Sequence, residues 1–266
     1  MKKSSPGDLI FLTATARFVA LIMILVSGFC AVACDDVSRP KSFDAVKAKA
    51  EQGDAPAQFN LGFMYHTGNG VPPDDVEAVK WWRLAAERGH AVAQVIVGSA
   101  YHNGEGVPPD DVEAVKWWRL AAAQGLPNAQ LQLGFAYHNG EGVPRNDAEA
   151  VKWYRQAAAQ GLVVARNNLG VAYARGEGVP RNDAEAVKWY QQAAAQGYAL
   201  AQLNLGIRYE RGEGVPRDYA EAYLWFSLAA AQGNADARKK LDLVEKLLTP
   251  EQRGEAQKTA HDWKPQ

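Results

Sequence analysis

The sequence predicts an all-α array of stacked helical hairpins on three observations: a 36-residue period, apolar residues at helical spacing within each period, and glycines and prolines held at fixed places between the helical stretches. Tyr65, Tyr101, Tyr137, Tyr173 and Tyr209 stand 36 apart, as do Trp81, Trp117, Trp153, Trp189 and Trp225. Pro72, Pro108, Pro144, Pro180 and Pro216 keep the same interval. Five units fill 54–233 without an inserted or deleted residue: 54–89, 90–125, 126–161, 162–197 and 198–233. Twenty of the 24 glycines fall at four fixed places per unit, which explains a glycine content that one compact helical domain would not need.

Ahead of the array, Lys2, Lys3 and Arg17 precede an uncharged run of 16 residues from Phe18 to Ala33. A bilayer-spanning helix usually needs about 20 residues, so residues 1–33 read as a secretory signal sequence or N-terminal anchor. Ala31-Val32-Ala33 suits cleavage before Cys34, which would then be a free terminal thiol. If the segment resembles a bacterial lipobox, Cys34 is instead the acylated anchor, although Ala31 stands where that box has Leu. Residues 34–41 read as a polar tether. The expected location is the periplasm or the envelope, with membrane attachment only through the leader or an acyl group on Cys34.

Residues 42–53 match the second half of a unit without its Trp and are expected to form a half-repeat. Within the first full unit, Ala57, Leu61 and Tyr65 line one helix, and Ala78, Trp81, Trp82, Ala85 and Ala86 line a second. Gly68-Asn69-Gly70-Val71-Pro72 lies between them, where glycines can take positive φ and Val-Pro forces an extended step. Asp74, Asp110, Asn146, Asn182 and Asp218 each precede a Glu by three residues, the pattern of a capping box with Asx in the Ser/Thr place. Gly89, Gly125, Gly161, Gly197 and Gly233 sit where a C′ glycine is expected.

Gly62, Gly98, Gly134, Gly170 and Gly206 lie inside the first helix, where glycine costs about 1 kcal/mol relative to alanine. A close helix contact offsets that cost if the slot receives the Trp or the next aromatic of the second helix, Trp82, Trp118, Tyr154, Tyr190 or Phe226. Residues 234–266 are expected to form C-terminal capping helices. Thr249-Pro250-Glu251-Gln252 opens the last of them with a Thr cap, Pro at N1 and Gln at N3, and Trp263 is placed to fold back as a lid.

Composition narrows the function. With 29 Lys+Arg against 30 Asp+Glu there is no basic field for nucleic acid. Two cysteines and no Cys-x-x-Cys pair disfavour dithiol and structural-zinc chemistry. His66, His102 and His138 form a column, but equivalent residues on successive helices are about 8 to 10 Å apart at best, too far for one ion with bonds of about 2 Å. No catalytic triad, phosphate loop or His-Glu-x-x-His set is present beyond the leader. Neither a metal nor a cofactor is expected.

The unit A-x-x-x-L-G-x-x-Y-x-x-G-x-G-V-P-x-[DN]-x-x-E-A-x-x-W-x-x-x-A-A-x-x-G, as in 57–89, resembles the Sel-one-like repeat, a relative of the tetratricopeptide repeat. The resemblance covers all five units and implies a right-handed α-solenoid. It also implies a non-enzymatic adaptor or regulator in the bacterial cell envelope that holds a partner protein along a concave face lined by the first helices. A cysteine-bearing subgroup of the family is linked to penicillin binding or β-lactamase activity. This chain has no Cys after Cys34, so a cell-wall enzyme is the lesser alternative.

Side chains that repeat are read as packing, and those that vary on an exposed flank as candidates for binding. A wheel centred on Leu61 puts Asn60, Met64 and Thr67 on one flank of the first helix. Along the array that flank carries Asn60, Met64 and Thr67, then Ile96, Ala100 and Asn103, then Gln132, Ala136 and Asn139, then Asn168, Ala172 and Arg175, then Asn204, Arg208 and Arg211. Amides can pair with a peptide backbone and arginines can clamp a carboxylate. The expected partner is a protein segment with an acidic stretch toward units four and five, bound by a monomer.

Overall fold

The computed structural model describes residues 43–265, so the leader, Cys34 and the tether lie outside the described residues. Among the described residues every regular element is a helix. α1 (Phe43–Glu51) precedes five hairpins: α2 (Ala55–Thr67) with α3 (Asp75–Glu87), α4 (Ala91–Asn103) with α5 (Asp111–Ala123), α6 (Pro127–Asn139) with α7 (Asp147–Ala159), α8 (Val163–Arg175) with α9 (Asp183–Ala195), and α10 (Ala199–Arg211) with α11 (Tyr219–Ala231). α12 (Ala235–Val244), a 3-10 turn (Glu245–Leu247) and α13 (Pro250–Asp262) follow. Each second helix also packs on the first helix of the next hairpin, giving the solenoid stack.

The hairpin turn is fixed by backbone bonds. Gly68 has φ 73° and its N–H donates to Met64 O, ending α2 in the left-handed conformation that glycine adopts without strain. The Asp74 N–H then donates to Tyr65 O at 2.9 Å, tying the start of α3 to the end of α2. The same tie joins Asp110 to Tyr101, Asn146 to Tyr137, Asn182 to Tyr173 and Asp218 to Tyr209. Each Asx side chain accepts from the N–H of the Glu three residues on, at 3.0 Å. The reciprocal half of the capping box is replaced: Glu77, Glu113, Glu149 and Glu185 turn to Lys80, Lys116, Lys152 and Lys188, and Glu221 accepts from Trp225 Nε1. A lysine one turn on lies over the same face and competes for the carboxylate. The complete box occurs at α13, between Thr249 and Gln252.

The glycines inside the first helices do receive an aromatic, and in all five hairpins it is the second one. A Cβ at Gly62, Gly98, Gly134, Gly170 or Gly206 would stand 2.3–2.6 Å from Trp82, Trp118, Tyr154, Tyr190 or Phe226. These rings are the large members of the core: Tyr190 and Phe226 are fully buried. Burial pushes the Tyr190 hydroxyl up to about 12, and raises Tyr154 as well. The other aromatic column, from Trp81 to Trp225, packs at the seams between hairpins, as Trp117 does against the core of α3 and α4.

The seams rest on a second close approach. A Cβ at Gly106, Gly142, Gly178 or Gly214 would lie 2.1–2.2 Å from the carbonyl oxygen of Asp75, Asp111, Asp147 or Asp183, so each hairpin turn sits directly on the first turn of the preceding hairpin's second helix. Buried glutamines cross the same seams. Gln94 Nε2 donates to Ala86 O at 3.1 Å and its Oε1 accepts from Gln124 at 2.8 Å; Gln130 accepts from Gln160, and Gln202 from Gln232, at the same distance. These amides satisfy groups that burial would otherwise leave unpaired.

His90 caps α4, its Nδ1 accepting the Ala93 N–H at 3.2 Å while Phe59 stacks on the ring at 4.6 Å. Accepting requires the neutral imidazole, and burial holds its pKa below the usual 6.5. The unfolded chain therefore takes up this proton first. The stabilisation is full above 6.5 and is lost as pH falls from there toward the lower folded value. His90→Asn keeps an acceptor that does not titrate, as Asn234 caps Ala237. Between about pH 7.5 and about pH 5 the wild type is expected to lose roughly 1 kcal/mol more than this variant, a thermal-midpoint difference of about 2–4 °C in calorimetry. Equal losses in the two proteins would refute the assignment.

Candidate partner-binding surface

The varying flank of the first helices resolves into two open rows and one closed row. Asn60 is exposed and Gln132, Asn168 and Asn204 are partly exposed. Two turns further on, Asn103, Asn139, Arg175 and Arg211 are exposed. The row between them is closed: Met64, Ala100, Ala136 and Ala172 are buried, and Arg208 side-chain exposure is 15 %. The reason is stacking against the preceding helices. Met64 belongs to the cluster of Val46 and Ala50 on α1, Ala100 to that of Val79 and Trp82, and Ala172 to that of Val151 and Tyr154. The expectation that Met64 faces a partner is corrected, since its side chain fills the seam below α2.

The open amides are already oriented. Asn103 Nδ2 donates to Glu105 Oε1 at 3.1 Å, and Asn139 Nδ2 to Glu141 Oε1 at 3.2 Å. Asn204 Nδ2 donates to Asn167 Oδ1 at 3.0 Å, across the seam between α8 and α10. Asn168 Nδ2 is covered and has no hydrogen-bond partner.

The arginine end is internally compensated. Arg208 Nη1 pairs with Asp183 Oδ1 at 3.3 Å and with Glu213 Oε2. Arg211 lies 3.8 Å from Glu213, and Arg175 lies 3.7 Å from Glu177. Arg181 also bonds Asp183, at 2.9 Å, so four arginines share three carboxylates and the clamp for an acidic segment is engaged by the chain itself. Sequence periodicity held a signal for this. In the first three hairpins the equivalent aspartates, Asp75, Asp111 and Asp147, bond to Nδ1 of His66, His102 and His138 at 2.7 Å. Ala174 stands where the fourth histidine would be, and Arg208 from the next hairpin takes its place at Asp183. Arg145 adds a second bond at Asp147; burial alone would raise that carboxyl, but the bonds to Arg145 and His138 outweigh it and hold the pKa below the usual range. Sequence reasoning missed both this substitution and the buried glutamine ladder.

Comparison with known proteins agrees with this architecture. The Sel1 repeat model matches residues 55–90, 91–126, 127–162, 163–198 and 199–234, one residue later than the units delimited above. The crystal structure of c5321, a protective antigen of uropathogenic Escherichia coli strains displaying an SLR fold, is 42 % identical with TM-score 0.75, over 82 % of this chain and 48 % of that one. The chain therefore spans about half the length of that protein. A Sel1 repeat protein from Oxalobacter formigenes is 32 % identical with TM-score 0.69, over 94 % of this chain and 95 % of that one. A search of curated proteins finds no match. Sel1 repeat proteins are generally protein-interaction scaffolds, and their fold is typically non-enzymatic. The chain, a helical-hairpin stack with one interior glycine per hairpin filled by an aromatic, belongs to the Sel1 repeat family.

Proposed function

We propose that the chain is an exported scaffold of the bacterial envelope that acts as a monomer and holds an extended segment of a partner protein along the open rows of its first helices. The observation that carries this reading is the pair of open polar rows flanking a closed seam: Asn60, Gln132, Asn168 and Asn204, interrupted by Ile96, and Asn103 and Asn139 continued by Arg175 and Arg211. A carboxamide offers both a donor and an acceptor, which suits the repeating N–H and C=O groups of an extended chain. Arg175, Arg208 and Arg211 are each paired within the chain, with Glu177, Asp183 and Glu213, and Asp183 is shared with Arg181, so one net positive charge remains at this end. An acidic partner segment binds there only by displacing those carboxylates. Export rests on the leader pattern ahead of Cys34.

Position-specific photo-crosslinking tests the reading. With a benzophenone amino acid at Asn103, irradiation in envelope extract is expected to give a discrete adduct that the same group at exposed Lys152, on a second helix, does not give. Combined Asn103→Ala, Gln132→Ala and Asn139→Ala substitutions are expected to weaken capture about tenfold or more, each lost amide bond contributing about 1 kcal/mol. Equal adducts at both positions, or capture unaffected by the three substitutions, would refute it.

A further inference from the structure

The segment after α13 docks on the outer side of two successive second helices. Trp263 lies edge-on to Trp225 with ring centroids 6.4 Å apart, and Pro265 reaches to 3.6 Å from where a Cβ on Gly197 would stand. Trp263 and Pro265, with Gln196, Gly197, Leu228, Ala231 and Gln232, line a cleft of about 390 Å³. The seat is thus a notch between the end of one second helix, at Gly197, and the outer face of the next, at Leu228 and Ala231.

The period repeats this notch down the array, with different contents. At Gly53 it is filled from within, for the Arg88 guanidinium lies over that glycine, Nη2 being 3.3 Å from the Cβ position. At Gly161 the Arg166 Nη2 approaches to 3.9 Å. Gly89 and Gly125 have nothing within 4 Å. By the 36-residue period, the residue corresponding to Leu228 is Gln156 for the notch at Gly125 and Leu120 for the notch at Gly89. Leu120 is 50 % exposed and shares the outer face of α5 with Val112, at 54 %. Large apolar side chains this open, beside a glycine with open space above it, are informative.

A second feature separates the occupied notch from the open ones. Gln124 Nε2 donates to Gly89 O at 3.2 Å and Gln160 Nε2 to Gly125 O at 2.8 Å. In the occupied notch Gln232 Nε2 donates to Leu228 O instead, at 3.4 Å. The same Nε2 also donates to Gln202 Oε1 at 2.8 Å, so the ladder bond is present in both arrangements.

We propose that the notch formed by Gly89, Leu120, Ala123 and Gln124 is a docking site for an extended Trp-x-Pro segment of a partner protein, seated as Trp263-Lys264-Pro265 is seated on Gly197 and Leu228. An aromatic followed by proline covers an apolar floor at little entropic cost, since proline is preset in an extended conformation. The chain's own segment does not fill this seat, because its tether holds it at high effective concentration beside Gly197. Trp117 is only 8 % exposed, so an arriving indole finds less aromatic edge there than Trp263 finds at Trp225, and the second seat is the weaker one. This site lies on the second helices and is independent of the amide rows of the first.

The probe is a labelled peptide of residues 257–266, added to the full chain with isotope-labelled methyl groups. Saturable binding is expected, with shifts at the Leu120 and Ala123 methyls. Leu120→Gln places there the residue found at the same position in the next two hairpins, so the fold accommodates it, and it is expected to weaken binding about tenfold. Trp263→Ala, which vacates the first seat, is expected to raise the stoichiometry from one peptide to two. Binding that Leu120→Gln leaves unchanged, shifts confined to the Leu228 seat, or no saturable binding would overturn the proposal.

Discussion

Gly134→Ala is expected to destabilise the array by about 3 kcal/mol, although alanine is the better helix former. The added Cβ would stand 2.3 Å from Tyr154 Cε1 and 2.4 Å from Cδ1, and that ring is buried in the core cluster of α7 and α8. Expelling a buried aromatic forfeits about 3–5 kcal/mol, and the gain in helix propensity returns only about 1. Tyr154→Ala removes the obstacle and costs about 3–5 kcal/mol by itself. Combined with Gly134→Ala it is expected to add little further loss, so the pair should show a coupling of roughly 2 kcal/mol or more. Urea denaturation of the four proteins, followed by circular dichroism, reads this directly. A Gly134→Ala protein that gains about 1 kcal/mol would mean that the helix pays only its local propensity and that the slot is unimportant.

That pair also shows how far the sequence carries. The interior glycine announces a bulky neighbour because five copies bear the same unfavourable residue, but the period alone does not say which of two adjacent aromatics enters the slot. Trp81 and Trp82 are 100° apart on one helix, and only the hairpin's own packing selects Trp82. The flank failed for a related reason. A wheel places Met64 beside Asn60 but knows nothing of the helix stacked below, and α1 covers Met64 while leaving Asn60 open. Charge compensation was legible only by reading down columns. Asp183 lies 25 residues before Arg208, beyond any helical spacing; Arg181 holds its Oδ2, and Ala174 in place of a histidine leaves Oδ1 for Arg208. Periodicity therefore gives the interior of a hairpin well and the seams between hairpins poorly, because seam contacts join residues that no single wheel contains.

The seams carry the second large effect, which separates glycines that look alike in sequence. Gly125 and Gly142 both have positive φ, 86° and 66°. A side chain in that region costs about 1–2 kcal/mol wherever it occurs. At Gly125 that is the whole cost, since nothing lies within 4 Å of an added Cβ, and Gly125→Ala is expected to lose about 1–2 kcal/mol. At Gly142 the Cβ would meet Asp111 O at 2.1 Å and Val112 N at 2.8 Å. Both are backbone atoms, so no rotamer change relieves the clash and the turn must lift off α5. Gly142→Ala is expected to lose roughly 4 kcal/mol or more, the strain of overpacking added to the conformational cost. In a stack held by nearest-neighbour contacts, opening one seam also divides the array. Hydrogen exchange is therefore expected to show amides of α6 and α7 losing protection before those of α10 and α11, while Gly125→Ala lowers protection evenly. Gly70 provides the internal control. It holds the same place in the first hairpin, where α1 offers only Phe43 Cβ at 3.2 Å, so Gly70→Ala is expected to resemble Gly125→Ala. Equal costs at Gly70 and Gly142 would show that the turn itself sets the requirement for glycine; unequal costs assign it to the preceding hairpin, whose second helix the turn sits on.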